Sequence, residues 1–376
     1  MLLFCSGKSS MPNAIPQSVN DYQIELALAD ASTPPSAWYQ DDSIYQLERK
    51  TVFYYQWLLV ARVDELRDDG DFLTLNIAEQ PVILTKSAGK IRAFYNVCRH
   101  HGAILKGSGK DSAQGNCQRL VCPYHGWTYA LDGQLIGYRE FAGVNQFNPE
   151  QLGLKEIQCQ QYWHWLFICF DPNAKPLFKS SETLWQRLDS LKMRDCDYYQ
   201  SRCYRLQCNW KVYVDNYLDG GFHVPVLHRG LSSALDNKAY KIETLDKVCW
   251  QSCPTKPSDS DISQVRQGTA NYVWLYPNLM FNCYQGVCGV MRVLPVSAQQ
   301  TEVVFDYFFA PQIEDAFKSM SIKVADVVQQ EDAEICESVQ TGLNSFGFET
   351  GRLSVSKEAG EHLFHRLLHA DLVRPR

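Results

Sequence analysis

From residue 72 onward the chain breaks into short runs rich in β-branched and aromatic residues: FLTLNI, PVILTK, IRAFYNV, RLVCPY, WTYAL and WLFICF, the last ending at Phe170. Turn signals separate them, among them Ser87-Ala88-Gly89-Lys90 and Asp132-Gly133. Runs of this length between such breaks predict strands, so residues 72–170 predict a small all-β unit. Ahead of it, residues 35–60 predict a helix, carrying Ser43, Tyr45, Gln46 and Glu48, that leads into a strand. The polar, proline-bearing stretch DPNAKPLFKSSE, 171–182, reads as a linker. Beyond it the texture changes. YVWLYPNLMF, GVMRVLPV and EVVFDYFFA predict strands, and longer patterns predict helices over 312–342 and 357–369. This second part is expected to be α+β with an antiparallel sheet.

Composition narrows the class. The chain has 376 residues, 45% hydrophobic and 21% charged, enough for two cores in an ordinary globular protein. Its net charge is −6, and no Lys/Arg run is dense enough to track phosphates, which argues against a nucleic-acid partner. No apolar run approaches the ~18–20 residues of a membrane span. The opening MLLF is too short for a signal-peptide core and lacks a basic lead, and Met11 is as good a start as Met1. The first forty residues carry acids and no arginine, unlike a transit peptide. Fourteen cysteines without a secretion signal read as reduced thiols, and a cytoplasmic location is expected. Cys159, Cys169, Cys196, Cys203, Cys249 and Cys336 stand singly and read as small buried apolar residues.

Two cysteines do not stand singly. Cys98-x-His100 and Cys122-x2-His125 each pair one thiol with one imidazole, at the tip of a predicted hairpin loop. Zinc is a rival for any Cys/His quartet, but its sites usually take Cys-Cys or His-His pairs. Two thiolates on one iron and two imidazoles on the other is the ligation of a Rieske [2Fe–2S] centre. Gly102, Pro123 and Gly126 suit tight loops whose N–H groups approach the sulfides, and Trp127 would shield one side. The gap 101–121 is long, and its polar stretch KGSGKDSAQGN is expected to be an exposed loop. His101 reads as a neighbour of the cluster.

A one-electron centre needs an acceptor, and more than 200 residues follow it. The stretch NWKVYVDNYLDGGFHVPVLH, 209–228, holds His223 and His228 five apart, preceded by Asp215 and Asp219. Pro225 breaks a regular helix between them and is expected to let them converge. Two histidines and a carboxylate on one face of an iron leave positions for O₂ and water, as in non-haem Fe(II) oxygenases. The run VVQQEDAEICESVQTGL offers Glu331, Asp332, Glu334 and Glu337. Asp332 is the choice, and the other three read as a solvated acidic face. Val327, Val328 and Ile335 argue that this helix is partly buried, and a buried carboxylate wants a cation. His362, His365 and His369 share one face of the last helix and read as its polar side.

With these motifs the chain resembles the α subunits of the Rieske non-haem iron oxygenases over nearly its whole length. DNYLDGGFHVPVLH, YPNLMF and QEDAEICESVQTGL look like the choline monooxygenase branch, which acts on quaternary ammonium compounds, as does PPSAWYQDDSIYQLERKTVFYYQW. The resemblance implies an arm over 1–55 packing on the catalytic domain, an all-β Rieske domain over 56–170 and a helix-grip catalytic domain over 171–376. It implies a homotrimer in which one subunit's cluster feeds its neighbour's iron. A carboxylate usually bridges the two centres three residues before the first iron histidine. Here that position is Gly220, so Asp219 is the candidate bridge. With no GxGxxG after a strand, electrons are expected from a ferredoxin or flavin reductase, with NAD(P)H acting only through that partner. O₂ is the co-substrate. In a photosynthetic eukaryote the plastid stroma is the expected compartment.

A quaternary ammonium substrate needs aromatic faces. Tyr272, Trp274 and Tyr276 alternate along one strand, and Phe222, Tyr284, Tyr307 and Phe309 are further candidates. Choline oxidation to betaine aldehyde hydrate is the first reading. N-demethylation of a betaine or carnitine-like compound, or aromatic-ring hydroxylation, is the alternative. A pure electron-transfer protein is the third, against which the second site argues.

Overall fold

A computed structural model describes residues 15–108, 113–256 and 260–374, and in it the strands gather into three antiparallel sheets. In chain order the first ten are β1 (Leu58–Arg62), β2 (Asp71–Ile77), β3 (Gln80–Ser87), β4 (Lys90–Tyr95), β5 (Gln114–Asn116), β6 (Leu120–Val121), β7 (Thr128–Tyr129), β8 (Leu135–Gly137), β9 (Glu156–Tyr162) and β10 (Trp165–Cys169). Seven form one sheet in the order β1-β10-β9-β4-β3-β2-β5, and β6-β7-β8 form a small second sheet. RLVCPY and WTYAL shrink to the two-residue strands β6 and β7, because Cys122, Pro123 and Tyr124 enter the loop between them and Ala130 and Leu131 enter the turn before β8. Part of the expected exposed loop is instead strand: Gln114–Asn116 pairs with β2 at the sheet edge. Residues 109–112 of that loop and the alternative starts Met1 and Met11 lie outside the described residues.

The third sheet holds β11 (Asp197–Leu206), β12 (Lys241–Leu245), β13 (Val248–Pro254), β14 (Thr269–Leu275), β15 (Leu279–Tyr284), β16 (Val287–Ser297) and β17 (Gln300–Phe309), in the order β11-β17-β16-β15-β14-β13-β12. YVWLYPNLMF is a hairpin rather than one strand. Pro277 has no N–H to give the ladder, and the chain reverses there between β14 and β15. The segment expected as a linker is partly helical, over Leu177–Ser180, and runs into a helix at Glu182–Ser190. Leu184, Trp185 and Leu188, at helical spacing, are buried.

Period-two alternation gives this third sheet two different faces. Val273, Phe281, Val290 and Phe308 point back and pack with Trp165 and Phe167 of β10, which joins the two large sheets. The opposite face is covered by the long helix Asp315–Leu343 and by Ala359–Leu372. The N-terminal segment is tied to the same side. Glu48, fully buried, lies 2.5 Å from Lys211 Nζ and accepts the Trp210 indole N–H at 2.8 Å.

The last helix does not present a solvated histidine face. His365 and His369 are buried, with His365 Nε2 2.9 Å from Asp215 Oδ1 and His369 Nε2 3.1 Å from the Val19 carbonyl. Its polar side meets the N-terminal segment and the helix Trp210–Leu218, so its charges are inside.

Candidate functional site

Two loops with the same closure carry the Cys-His pairs. The Gly102 N–H reaches the Cys98 carbonyl at 3.0 Å, and the Gly126 N–H reaches that of Cys122 at 3.1 Å. Both glycines have positive φ, +76° and +73°, which a side chain would strain. The loops set the Cys122 thiol against that of Cys98, and burial pushes the Cys98 thiol pKa up. The rings of His100 and His125 are 4.8 Å apart, and His100 Nδ1 is buried without a partner. Trp127 stacks on His100 at 4.8 Å. His101 lies 4.0 Å from His100, exposed beside the pair. Two adjacent buried thiols and an orphan imidazole nitrogen fit an iron–sulfur cluster with mixed ligation. The Tyr129 hydroxyl accepts the Arg99 N–H at 2.9 Å and sits 3.4 Å from Cys98 Sγ. Sequence spacing gave no sign of that tyrosine.

The second centre is built around the helix Trp210–Leu218, which Asn209 caps by accepting the Lys211 N–H. The helix ends at Asp219, and Gly220 and Gly221, both at φ +66°, turn the chain. A Cβ on Gly220 would strike the Lys357 carbonyl, so no carboxylate fits at that position. Pro225 does not break a helix. It lies in the first turn of the short helix Val224–Leu227, where a proline loses no bond, and the glycine pair makes the bend. His223 and His228 flank that short helix.

His228 Nε2 lies 3.0 Å and His223 Nε2 3.9 Å from Asp332 Oδ1. Ligand atoms of His223, His228 and Asp332 all fall within 4.8 Å of one another, a set that could hold a metal ion. Each imidazole is oriented from behind: His223 Nδ1 is 2.6 Å from Asp219 Oδ2, and His228 Nδ1 is 2.6 Å from Glu331 Oε2. Such carboxylate–histidine pairs fix the tautomer and aim Nε2 at a metal. Burial lowers the His228 pKa, but Asp332 and Glu331 outweigh it and raise it above the usual imidazole value. Asp332 also accepts from Asn216 Nδ2 at 2.9 Å and Gln329 Nε2 at 3.3 Å.

Of the four candidate carboxylates on this helix, more than one is engaged. Glu331 holds His228, Glu337 accepts the Gln207 N–H at 2.8 Å, and Glu334 accepts from Gln330. Asp219 turns its carboxylate to its own chain, accepting the N–H groups of Phe222 and His223.

A cavity of about 100 Å³ opens beside these three side chains. Tyr272, Tyr284 and Tyr307 line it, as expected. Phe222 does not: it is 55% exposed. Trp274 and Tyr276 share a strand face with Tyr272 but sit farther along it, against Phe364 of the last helix. Alternate residues stand ~7 Å apart, so one face serves both the cavity and the core. Phe309 likewise packs in the core, beside Tyr199. Tyr213, Tyr217, Tyr240 and Arg266 line the cavity too and carry no motif that sequence reading could detect.

Residues 193–372 match the ring hydroxylating α subunit catalytic domain, and residues 56–148 match the Rieske [2Fe-2S] domain. The chain is 36% identical to the chloroplastic choline monooxygenase of Arabidopsis thaliana, over 95% of this chain and 87% of that one. This chain belongs to the Rieske non-haem iron oxygenase α subunits. It is 31% identical to the carnitine monooxygenase oxygenase subunit of Escherichia coli K12, over 90% of this chain and 93% of that one. The structure of the quaternary ammonium Rieske monooxygenase CntA superposes with a TM-score of 0.80 at 26% identity, covering 91% of this chain and 95% of that one. The chain is thus a Rieske non-haem iron monooxygenase with a [2Fe–2S] cluster and a mononuclear iron, using O₂ and an electron-transfer partner. Among the described residues no helix is long and apolar enough to cross a membrane.

Proposed function

We propose that this oxygenase hydroxylates a carbon of a small quaternary ammonium compound. Choline, giving betaine aldehyde hydrate, is the reading to test first, and N-demethylation of a betaine is the second. The observation that carries the proposal is the cavity lining: Tyr217, Tyr240, Tyr272, Tyr284 and Tyr307 surround a space of about 100 Å³. A desolvated cation over an aromatic face gains ~2 kcal/mol or more. The relatives named for choline and carnitine support the same class.

In this reading Cys98, His100, Cys122 and His125 hold the cluster, and His223, His228 and Asp332 hold the iron. The chemistry an iron supplies there is insertion of one atom of O₂ into a C–H bond, the other leaving as water with two external electrons and two protons. The protein's part is to hold and exclude. Asp219 and Glu331 keep both imidazoles aimed, and the tyrosines fix the substrate beside them. His125 and His101 are exposed, where a neighbouring subunit can receive an electron. Asp219, against His223, is the point at which that electron would reach the second centre of a homotrimer, and inter-subunit transfer is named for CntA. A ferredoxin or flavin reductase is the proposed donor. The compartment proposed is the cytoplasm, or the plastid stroma in a photosynthetic eukaryote. All thirteen described cysteines are free, as a reducing compartment favours.

The test is a single turnover of pre-reduced, iron-loaded protein with choline and with betaines, products read by mass spectrometry. His223→Ala should lose one iron per chain and all turnover while keeping the cluster's visible spectrum. Turnover by that variant would refute the iron assignment.

A further inference from the structure

Arg266 stands alone in the cavity beside the iron-binding triad. It follows the short helix Asp261–Val265, is only 8% exposed, and lines the cavity with Tyr272 and Tyr284. Its Nη1 is buried with no hydrogen-bond partner. Among the described residues its guanidinium makes no ion pair and no hydrogen bond. Its close neighbour is the Tyr284 ring, with Cζ 5.2 Å from the centroid, and Tyr284 donates its own hydroxyl hydrogen to Tyr272 at 2.8 Å. Elsewhere buried Lys211 meets Glu48, and half-buried Arg292 meets Asp306.

A buried arginine without a counter-ion is costly, and such charges are normally paired. The carboxylate that lines this cavity is Asp332, whose oxygens are taken by His228, Asn216 and Gln329. A purely cationic substrate would leave the guanidinium unpaired. A molecule with a trimethylammonium at one end and a carboxylate at the other fits both features. The tyrosine faces take the cation, and the planar guanidinium offers a carboxylate two parallel N–H donors.

Resting on the quaternary ammonium reading, we propose that Arg266 is the binding group for a substrate carboxylate. The preferred substrate of this oxygenase is then a zwitterionic trimethylammonium acid rather than choline. The cavity orders it with the carboxylate toward Arg266 and an N-methyl or a neighbouring C–H toward the His223–His228–Asp332 face.

The test is steady-state turnover by the holoenzyme with its reductase, comparing choline with trimethylammonium carboxylates of two- to four-carbon chains. The wild type should show a lower KM for a trimethylammonium acid than for choline. Arg266→Gln should raise KM for the acid at least about 30-fold, the effect expected of truncating one partner of a buried charge pair. The rise in KM for the acid should be far larger than any change in kcat or in the KM for choline. Arg266→Lys should recover part of the loss, and the visible spectrum of the cluster reports that each variant is folded. Wild-type preference for choline would overturn this inference and leave the quaternary ammonium reading standing. So would an Arg266→Gln variant whose KM rises equally for both substrates. If no trimethylammonium compound of either kind binds or turns over, both fall together.

Discussion

Asp219 Oδ2 lies 2.6 Å from His223 Nδ1 and also accepts the His223 backbone N–H at 2.9 Å. One carboxylate oxygen thus fixes both the ring and the main chain of the same residue. Asp219 does not stand at the place in the motif where the resemblance leads one to expect an acid. Gly220 holds that place, against the Lys357 carbonyl, and the acid sits one residue earlier, where it supports a histidine from behind.

Removing that support is expected to weaken metal binding. Asp219→Ala should lower iron affinity about 10–100-fold, and Glu331→Gln should do the same through His228. Competition with a chelator measures it, with the visible absorbance of the cluster as an internal control. Unchanged iron retention in both variants would mean that the carboxylates play no part in holding the ion.

The Tyr129 hydroxyl sits 3.4 Å from Cys98 Sγ, in reach to donate to the sulfur proposed as a cluster thiolate. A donor there stabilises the reduced form, which carries one more negative charge. Tyr129→Phe should therefore lower the reduction potential by roughly 60 mV, equivalent to about 1.4 kcal/mol for one electron. Spectroelectrochemical titration gives the number. A potential that rose or stayed put would show that the hydroxyl serves the Arg99 N–H alone.

Glu48 and Lys211 form an ion pair with both side chains fully buried. Breaking it leaves a bare charge in the core. Glu48→Ala should cost about 3–5 kcal/mol, whereas Glu48→Leu with Lys211→Met should cost much less, because neither charge remains. Thermal melts of the three proteins decide it. If the double variant is as unstable as the single one, packing rather than charge sets the loss.

Glu361 lines a cavity of roughly 250 Å³ together with Asp215, Asp219 and Glu358. Burial, then the charges of Asp215, Glu358 and Asp219, raise its pKa well above the usual carboxylate value. The folded state therefore favours the neutral acid. That contribution is fully present below the unfolded value of about 4.3 and is lost as pH rises toward and through the folded one. Glu361→Gln mimics the protonated form, so it should raise Tm at pH 8 and change it little near pH 4. A Tm difference that did not vary with pH would rule out this titration as the cause.

Much of the chemistry was legible because it sits in short local motifs. Cys98-x-His100 and Cys122-x2-His125 need only a tight loop each, and His223 and His228 are separated by a single turn of helix. Elements read from periodicity were also near their true positions where the pattern was long, as in the helix expected over 312–342 and found at Asp315–Leu343. The misses share a cause. Pro277 and Pro225 were misjudged because a proline signals a constraint without saying whether it closes a turn or opens a helix. His365 and His369 looked like a polar surface because sequence does not reveal what packs on a polar face.

By itself the sequence determined the class of chemistry, the family resemblance and the residue types proposed for both centres, since these depend on ligand identity and short spacing. Tertiary structure decided which carboxylate of the helix Asp315–Leu343 reaches the histidines and which merely supports one. It decided which alternate residues of β14 meet the cavity and which meet the core. It also brought Arg266, unmarked by any motif, to a cavity whose walls come from distant parts of the chain. Contacts across the chain are fixed by how a sheet face is covered, and no local pattern records what covers it.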